Sequence, residues 1–182
     1  MDYFVGMSNF HLVILKKYYL DKILNGSKRI ELRLTRSKCP PFDSVCAGDK
    51  LFLKESSGPV CAVAQVSAVK QLSNLTPAEI SALKAKYNHL ILGAESFWQF
   101  KSDSKFATIL WLKSVRSIKP IRIYKKDWRA WVVLKKPNDF GLLDTFATLR
   151  SSTSTLRSKA TAEDGSLRST RVPSGNIIKQ SD

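Results

Sequence analysis

Residues Phe106 to Val115 (Phe-Ala-Thr-Ile-Leu-Trp-Leu-Lys-Ser-Val) are apolar on both parities. A strand with apolar residues on both faces needs cover on both. This stretch therefore predicts a central strand with packed layers on either side. The rest of the chain supplies the neighbours. His11 to Leu15 reads as a buried strand, and Arg29 to Leu34 alternates as a strand with one apolar face. Lys50 to Lys54 and Val60 to Val69 read as a hairpin around Ser56-Ser57-Gly58-Pro59. Ile121 to Tyr124 is a shorter strand candidate, and Trp131 to Leu134 closes the ordered region.

Helices are marked by their ends. Leu20, Ile23 and Leu24 lie at helical spacing before Asn25-Gly26, which suits a C-terminal cap. Thr76-Pro77-Ala78-Glu79 has the form of a capping box, followed by Ile80, Leu83 and Tyr87 on one stripe. A short helix is expected over Glu95 to Lys101. Some six strands, two or three helices and no regular strand–helix alternation point away from a doubly wound sheet. The predicted class is α+β, a small mixed β-barrel with flanking helices. No internal repeat is read. Residues 1–8 form an N-terminal extension and 9–136 the domain. From 137 to 182 the chain is Ser/Thr-rich with sparse apolar residues, so a mostly disordered tail is expected. A short amphipathic piece around Phe140 to Leu149 is placed against the domain.

The net charge is +15. Residues 1–136 hold 24 Lys and Arg against 10 Asp and Glu, whereas residues 137–182 hold 6 against 5. The basicity thus belongs to the domain, which favours a polyanion such as RNA. No apolar run is long enough for a membrane helix. The N-terminal residues lack a signal-peptide pattern, so a cytoplasmic protein is expected. Cys39, Cys46 and Cys61 have no paired spacing and are read as free thiols. No Cys/His cluster has metal-ligand spacing, so no metal and no cofactor are expected.

One octapeptide sets charges between core residues: Gly26-Ser27-Lys28-Arg29-Ile30-Glu31-Leu32-Arg33. If Ile30, Leu32 and Leu34 face the barrel core, alternation turns Arg29, Glu31 and Arg33 the other way. Either these charges are solvated or they wall a polar cleft. The octapeptide resembles the Gly-x-Lys-x-x-Glu-x-Arg motif of ASCH domains, the activating-signal-cointegrator homology family. The preceding Ile-Leu-Asn-Gly and the later Gly48-Asp49 fit the same resemblance, which covers roughly residues 9–135.

The resemblance implies a PUA-like fold, with kinship to PUA, YTH and EVE domains that bind RNA or modified bases. It also implies that Lys28, Glu31 and Arg33 line the cleft. The two cations suit phosphate. Glu31 suits a base amino group, the orientation of Arg33, or general-base work. The alternative is a Glu31–Arg33 pair that merely satisfies two charges at a strand edge. Some small bacterial ASCH proteins are amidohydrolases on acylated cytidine that use a Lys, a Thr and a Glu. Lys28 matches that Lys, but Glu31 stands where the Thr would be, so the hydroxyl is missing. Another similar protein is a metal-dependent ribonuclease, for which this chain offers no carboxylate cluster.

Lys125, Lys126, Trp128 and Arg129 form a basic run with an aromatic inside it. Such a run suits a nucleic-acid backbone, with Trp128 and Tyr124 available for base stacking. The bland alternative is a solvated loop with Trp128 tucked into the core. Trp111 and Trp131 are assigned to the core, whereas Trp98 either packs its helix or faces a ligand as a third stacking candidate. The expectation is a single-stranded RNA- or nucleotide-binding domain; the alternative is a hydrolase acting on RNA or a modified nucleoside.

Overall fold

The computed structural model describes residues 8–125, 128–135 and 139–143. Among them are six strands and three helices: β1 (Phe10–Leu15), α1 (Lys17–Leu24), β2 (Ile30–Thr35), β3 (Lys50–Glu55) and β4 (Val60–Ser73), followed by α2 (Pro77–Ile91), α3 (Glu95–Phe100), β5 (Phe106–Ile121) and β6 (Trp131–Leu134). The strands make one sheet in the order β2-β5-β4-β3-β1-β6. β1 and β3 are parallel, and the other pairs are antiparallel.

β5 is the two-sided strand that its composition demands. Leu110 joins an inner core with Val13, Leu53, Ala64 and Trp131. Ala107 and Ile109 join an outer core under α2 and α3, with Ile80, Leu83 and Trp98. α2 is held at its start by the expected capping box: Thr76 Oγ1 accepts from the Glu79 backbone N–H at 3.3 Å, and Glu79 Oε2 accepts from the Thr76 N–H at 2.8 Å. At the far end Asn88 clamps the turn into α3. Its Oδ1 accepts from the Gly93 N–H at 2.8 Å and from the Trp98 indole at 3.1 Å. A Cβ on Gly93 would sit 2.8 Å from that indole nitrogen, so this turn needs glycine.

Two expectations about strands are corrected. β5 does not stop at Val115 but runs to Ile121, absorbing the start of the separate strand expected over Ile121 to Tyr124. And Ile30, Leu32 and Leu34 pack in the outer core beneath the helices, not inside the curled sheet. Glu31 lies opposite Leu110 of the inner core, so Glu31 and Arg33 face inward. The alternation holds, but both faces of β2 are covered. Leu142 is fully buried; expectations for Thr145 to Asp182, and those for residues 1–7, lie outside the described residues.

Candidate functional site

β2 and β6 are the two edges of the sheet and share no backbone ladder. The sheet curls until these edges nearly meet, and side chains bridge the gap. Arg33 on β2 donates from Nη2 to the Ile14 carbonyl on β1 at 3.1 Å. Its guanidinium carbon sits 5.5 Å from the ring centre of Trp131 on β6. A cleft of about 2020 Å³ opens along this seam. Lys28, Glu31, Arg33, Arg129 and Trp131 line it, together with the aromatic rings of Tyr18, Tyr19, Phe97 and Phe100.

Lys28 follows the turn that ends α1 and is buried, 4% exposed. Its ammonium donates to the Ile30 carbonyl at 2.7 Å and the Ile91 carbonyl at 2.8 Å, and lies 3.4 Å from Glu31 Oε2. Ile91 ends α2, so the cation sits where the helix dipole is negative. The Tyr19 ring covers it at 5.3 Å. Two donors thus meet carbonyls while the charge faces Glu31, and Lys28 ties β2 to α2. Burial pushes its pKa down, and the Glu31 charge opposes that shift.

Glu31 stands between the two cations. Its Oε1 lies 2.9 Å from Arg33 Nε. That N–H is buried and not aimed at the oxygen, so charge rather than an aligned hydrogen bond holds the pair. Arg33 remains the more open member, with 18% of its side chain exposed. Its Nη1 makes no hydrogen bond among the described residues and is the donor left for a ligand.

Behind Arg33 runs a buried relay. The Trp131 indole donates to His11 Nδ1 at 3.1 Å, and His11 Nε2 meets Asp49 Oδ2 at 3.0 Å. An indole N–H can only donate, so Nδ1 must accept and Nε2 carries the proton. Asp49 also accepts from the backbone N–H groups of Asn9 and Cys46. Burial drives the His11 pKa below 6.5 against the pull of Asp49, which favours the neutral ring this pattern requires. The relay fixes the plane of Trp131, on which Arg33 lies.

The fold therefore brings Lys28, Glu31 and Arg33 together and sets Arg129 on the same lining. Lys125 lies near enough to Lys54, at the end of β3, to lower that lysine's pKa, after burial as the main cause. Trp128 is wholly exposed rather than tucked into the core, and Tyr124 is 81% exposed. Lys126 lies outside the described residues. Trp98 is buried, and Trp111 packs edge-on against Tyr87. Sequence reasoning placed Trp131 in the core, where it is, but missed its place on the seam; it also missed His11 and Asp49. The Gly48-Asp49 turn and a histidine inside an apolar strand were the available signals. Among the described residues no three His, Cys, Asp or Glu side chains gather as metal ligands. No helix there is long and apolar enough to cross a membrane.

No protein-family model matches the sequence, and no curated protein matches it. Solved structures do. The ASCH protein of Zymomonas mobilis superposes with a TM-score of 0.58 at 16% identity, over 74% of this chain and 94% of that one. Two point mutants of the same protein superpose alike: one with a TM-score of 0.57 at 16% identity over 74% and 96% of the two chains, the other with 0.58 at 18% over 75% and 95%. At such identities the likeness speaks for the fold. With its six-stranded curled half-barrel and flanking helices, this chain has the PUA-like fold of ASCH-domain proteins.

Proposed function

We propose that this protein binds single-stranded RNA or a nucleotide in the seam between β2 and β6, as a basic domain in the cytoplasm. The observation that carries the reading is the state of Arg33. Its guanidinium is stacked on Trp131, braced by Glu31 and anchored on the Ile14 carbonyl, yet Nη1 still opens to the cleft. A cation held this way is organised for an anion or a base carbonyl before the ligand arrives. Lys28 supplies position rather than contact, because it is buried, bonded to the Ile30 and Ile91 carbonyls and paired with Glu31. Exposed Tyr18 and Phe100 at the cleft offer faces for base stacking. Arg129 adds positive charge to the lining, and half-buried Lys125 with exposed Trp128 and Arg129 extends the surface toward the backbone of a longer strand.

A hydrolase reading asks for a base or nucleophile open to the substrate. Lys28 has the lowered pKa but not the free donor or lone pair, and both Glu31 oxygens face cations. Binding is therefore the better-supported use of the site.

Fluorescence anisotropy with a labelled pentauridylate tests this. Wild type should bind at low salt, with log K falling as log salt rises. Arg33→Gln, with its circular dichroism unchanged, should weaken binding about tenfold, on the order of 1–3 kcal/mol for a lost directed Arg contact. Equal binding by the two proteins would remove Arg33 from the site. No binding by wild type would end the proposal.

A further inference from the structure

β5 is the longest strand of the sheet, and its outer half, with the two residues that follow it, repeats in threes: Leu112-Lys113-Ser114, Val115-Arg116-Ser117, Ile118-Lys119-Pro120, Ile121-Arg122-Ile123. A regular strand alternates in twos, so residues three apart should point to opposite faces. Here they do not. Lys113 lies opposite Gln65 and Arg116 opposite Val63, so three residues of β5 span two of β4. Gln65 and Val63 are two apart and share a face, so Lys113 and Arg116 share it as well. The extra residue is taken up at Ser114, whose φ is 51°. Farther on, Ser117 pairs with Ala62 and Ile121 with Val60, which adds two more residues to β5.

The irregularities convert a period of three into a sided strand. Leu112 and Val115 pack on the inner core. Lys113, Arg116, Lys119 and Arg122 are all exposed. None of the four makes an ion pair or a side-chain hydrogen bond among the described residues. No Asp or Glu occurs from residue 104 to residue 126. At about 3.3 Å per residue the four cations span roughly 30 Å, far more than one nucleotide needs.

We infer that this bulged ladder, Lys113, Arg116, Lys119 and Arg122, is a second binding surface, which takes the sugar–phosphate backbone of a single-stranded nucleic acid. The ladder lies outside the β2–β6 seam. Four cations with no ion pair among the described residues, on a stretch of sequence that holds no acidic residue, complement a repeating anion. The apolar member of the first two triplets is turned inward, which leaves no wedge there for lipid. The chain then continues into exposed Tyr124 and Trp128, whose rings suit stacked bases. That the polyanion is a nucleic acid rests on the reading given to the seam.

The test compares wild type, Arg33→Gln and a fourfold variant (Lys113→Gln, Arg116→Gln, Lys119→Gln, Arg122→Gln). The probes are pentauridylate, an oligouridylate of about 20 nucleotides, and phosphatidylserine vesicles. The substituted side chains are exposed, and a Lys113→Arg, Lys119→Arg variant keeps the charge as a folding and specificity control. The fourfold variant should bind the pentamer as wild type does. With the longer probe its salt slope should fall by about 3, at roughly 0.7 per phosphate contact, while the Lys→Arg control keeps the slope. An unchanged slope, or no binding of the longer probe by wild type at about 50 mM salt, overturns the ladder. So does a fourfold variant that loses vesicles but not RNA. If Arg33→Gln binds the pentamer normally while the fourfold variant loses the longer probe, the seam reading fails and the ladder stands.

Discussion

Lys28, Glu31 and Arg33 occupy one side of a single strand start, yet they differ in kind. Lys28 is a buried tie between β2 and the end of α2, Glu31 is a bridge, and Arg33 is the group that looks outward. Replacing Lys28 by Met removes one partner of a buried charge pair and strands two carbonyls. Urea unfolding should show a loss of about 3 kcal/mol; an unchanged midpoint would mean that the tie contributes nothing. His11 gives a pH signature. Its folded pKa is lowered by burial, so the unfolded chain takes up the proton first. Stability is then fully present above pH 6.5 and is lost as pH falls through the lowered folded value. His11→Gln should flatten this decline in denaturation midpoints measured downward from pH 7, whereas a parallel decline in both proteins would assign it elsewhere. The β2 charges were legible because strand alternation is local. The Trp131–His11–Asp49 relay was not, since its partners stand 120 and 38 residues apart.

At the scale of elements, legibility followed how regular each pattern is. The α2 capping box was readable because its reciprocal bonds join residues three apart. The full length of β5 was not. Alternation stops near Val115 because bulges reset the faces, and a triplet pattern resembles neither strand nor helix. Ser114 makes this testable. A left-handed φ costs an L-residue roughly 1–2 kcal/mol, and glycine's extra chain entropy returns about 0.5–1 of that. Ser114→Gly should therefore stabilise the protein by about 0.5 kcal/mol, and Ser114→Val should destabilise it. Thermal melts of the two variants that shift in the same direction would contradict the bulge geometry.

The described domain is a sheet curled almost to closure, whose edge strands meet through the Arg33–Trp131 stack instead of a ladder. That arrangement explains why the motif needs both charge and core residues: the outer face of β2 holds the helices, and the inner face holds the seam. The mixed barrel with flanking helices could be argued from strand count and turn signals. The direction of curl could not, because β2 is apolar enough to pass for the wall of either core. The four tryptophans allow a direct test of the seam. Trp131 stands on it, while Trp98 on α3 is buried in the outer core. In a nitrogen–proton correlation spectrum titrated with pentauridylate, the Trp131 indole and Arg33 Nε signals should shift together and saturably, with the Trp98 indole unmoved. A titration that moves neither Trp131 nor Arg33 while the RNA is bound would contradict the account.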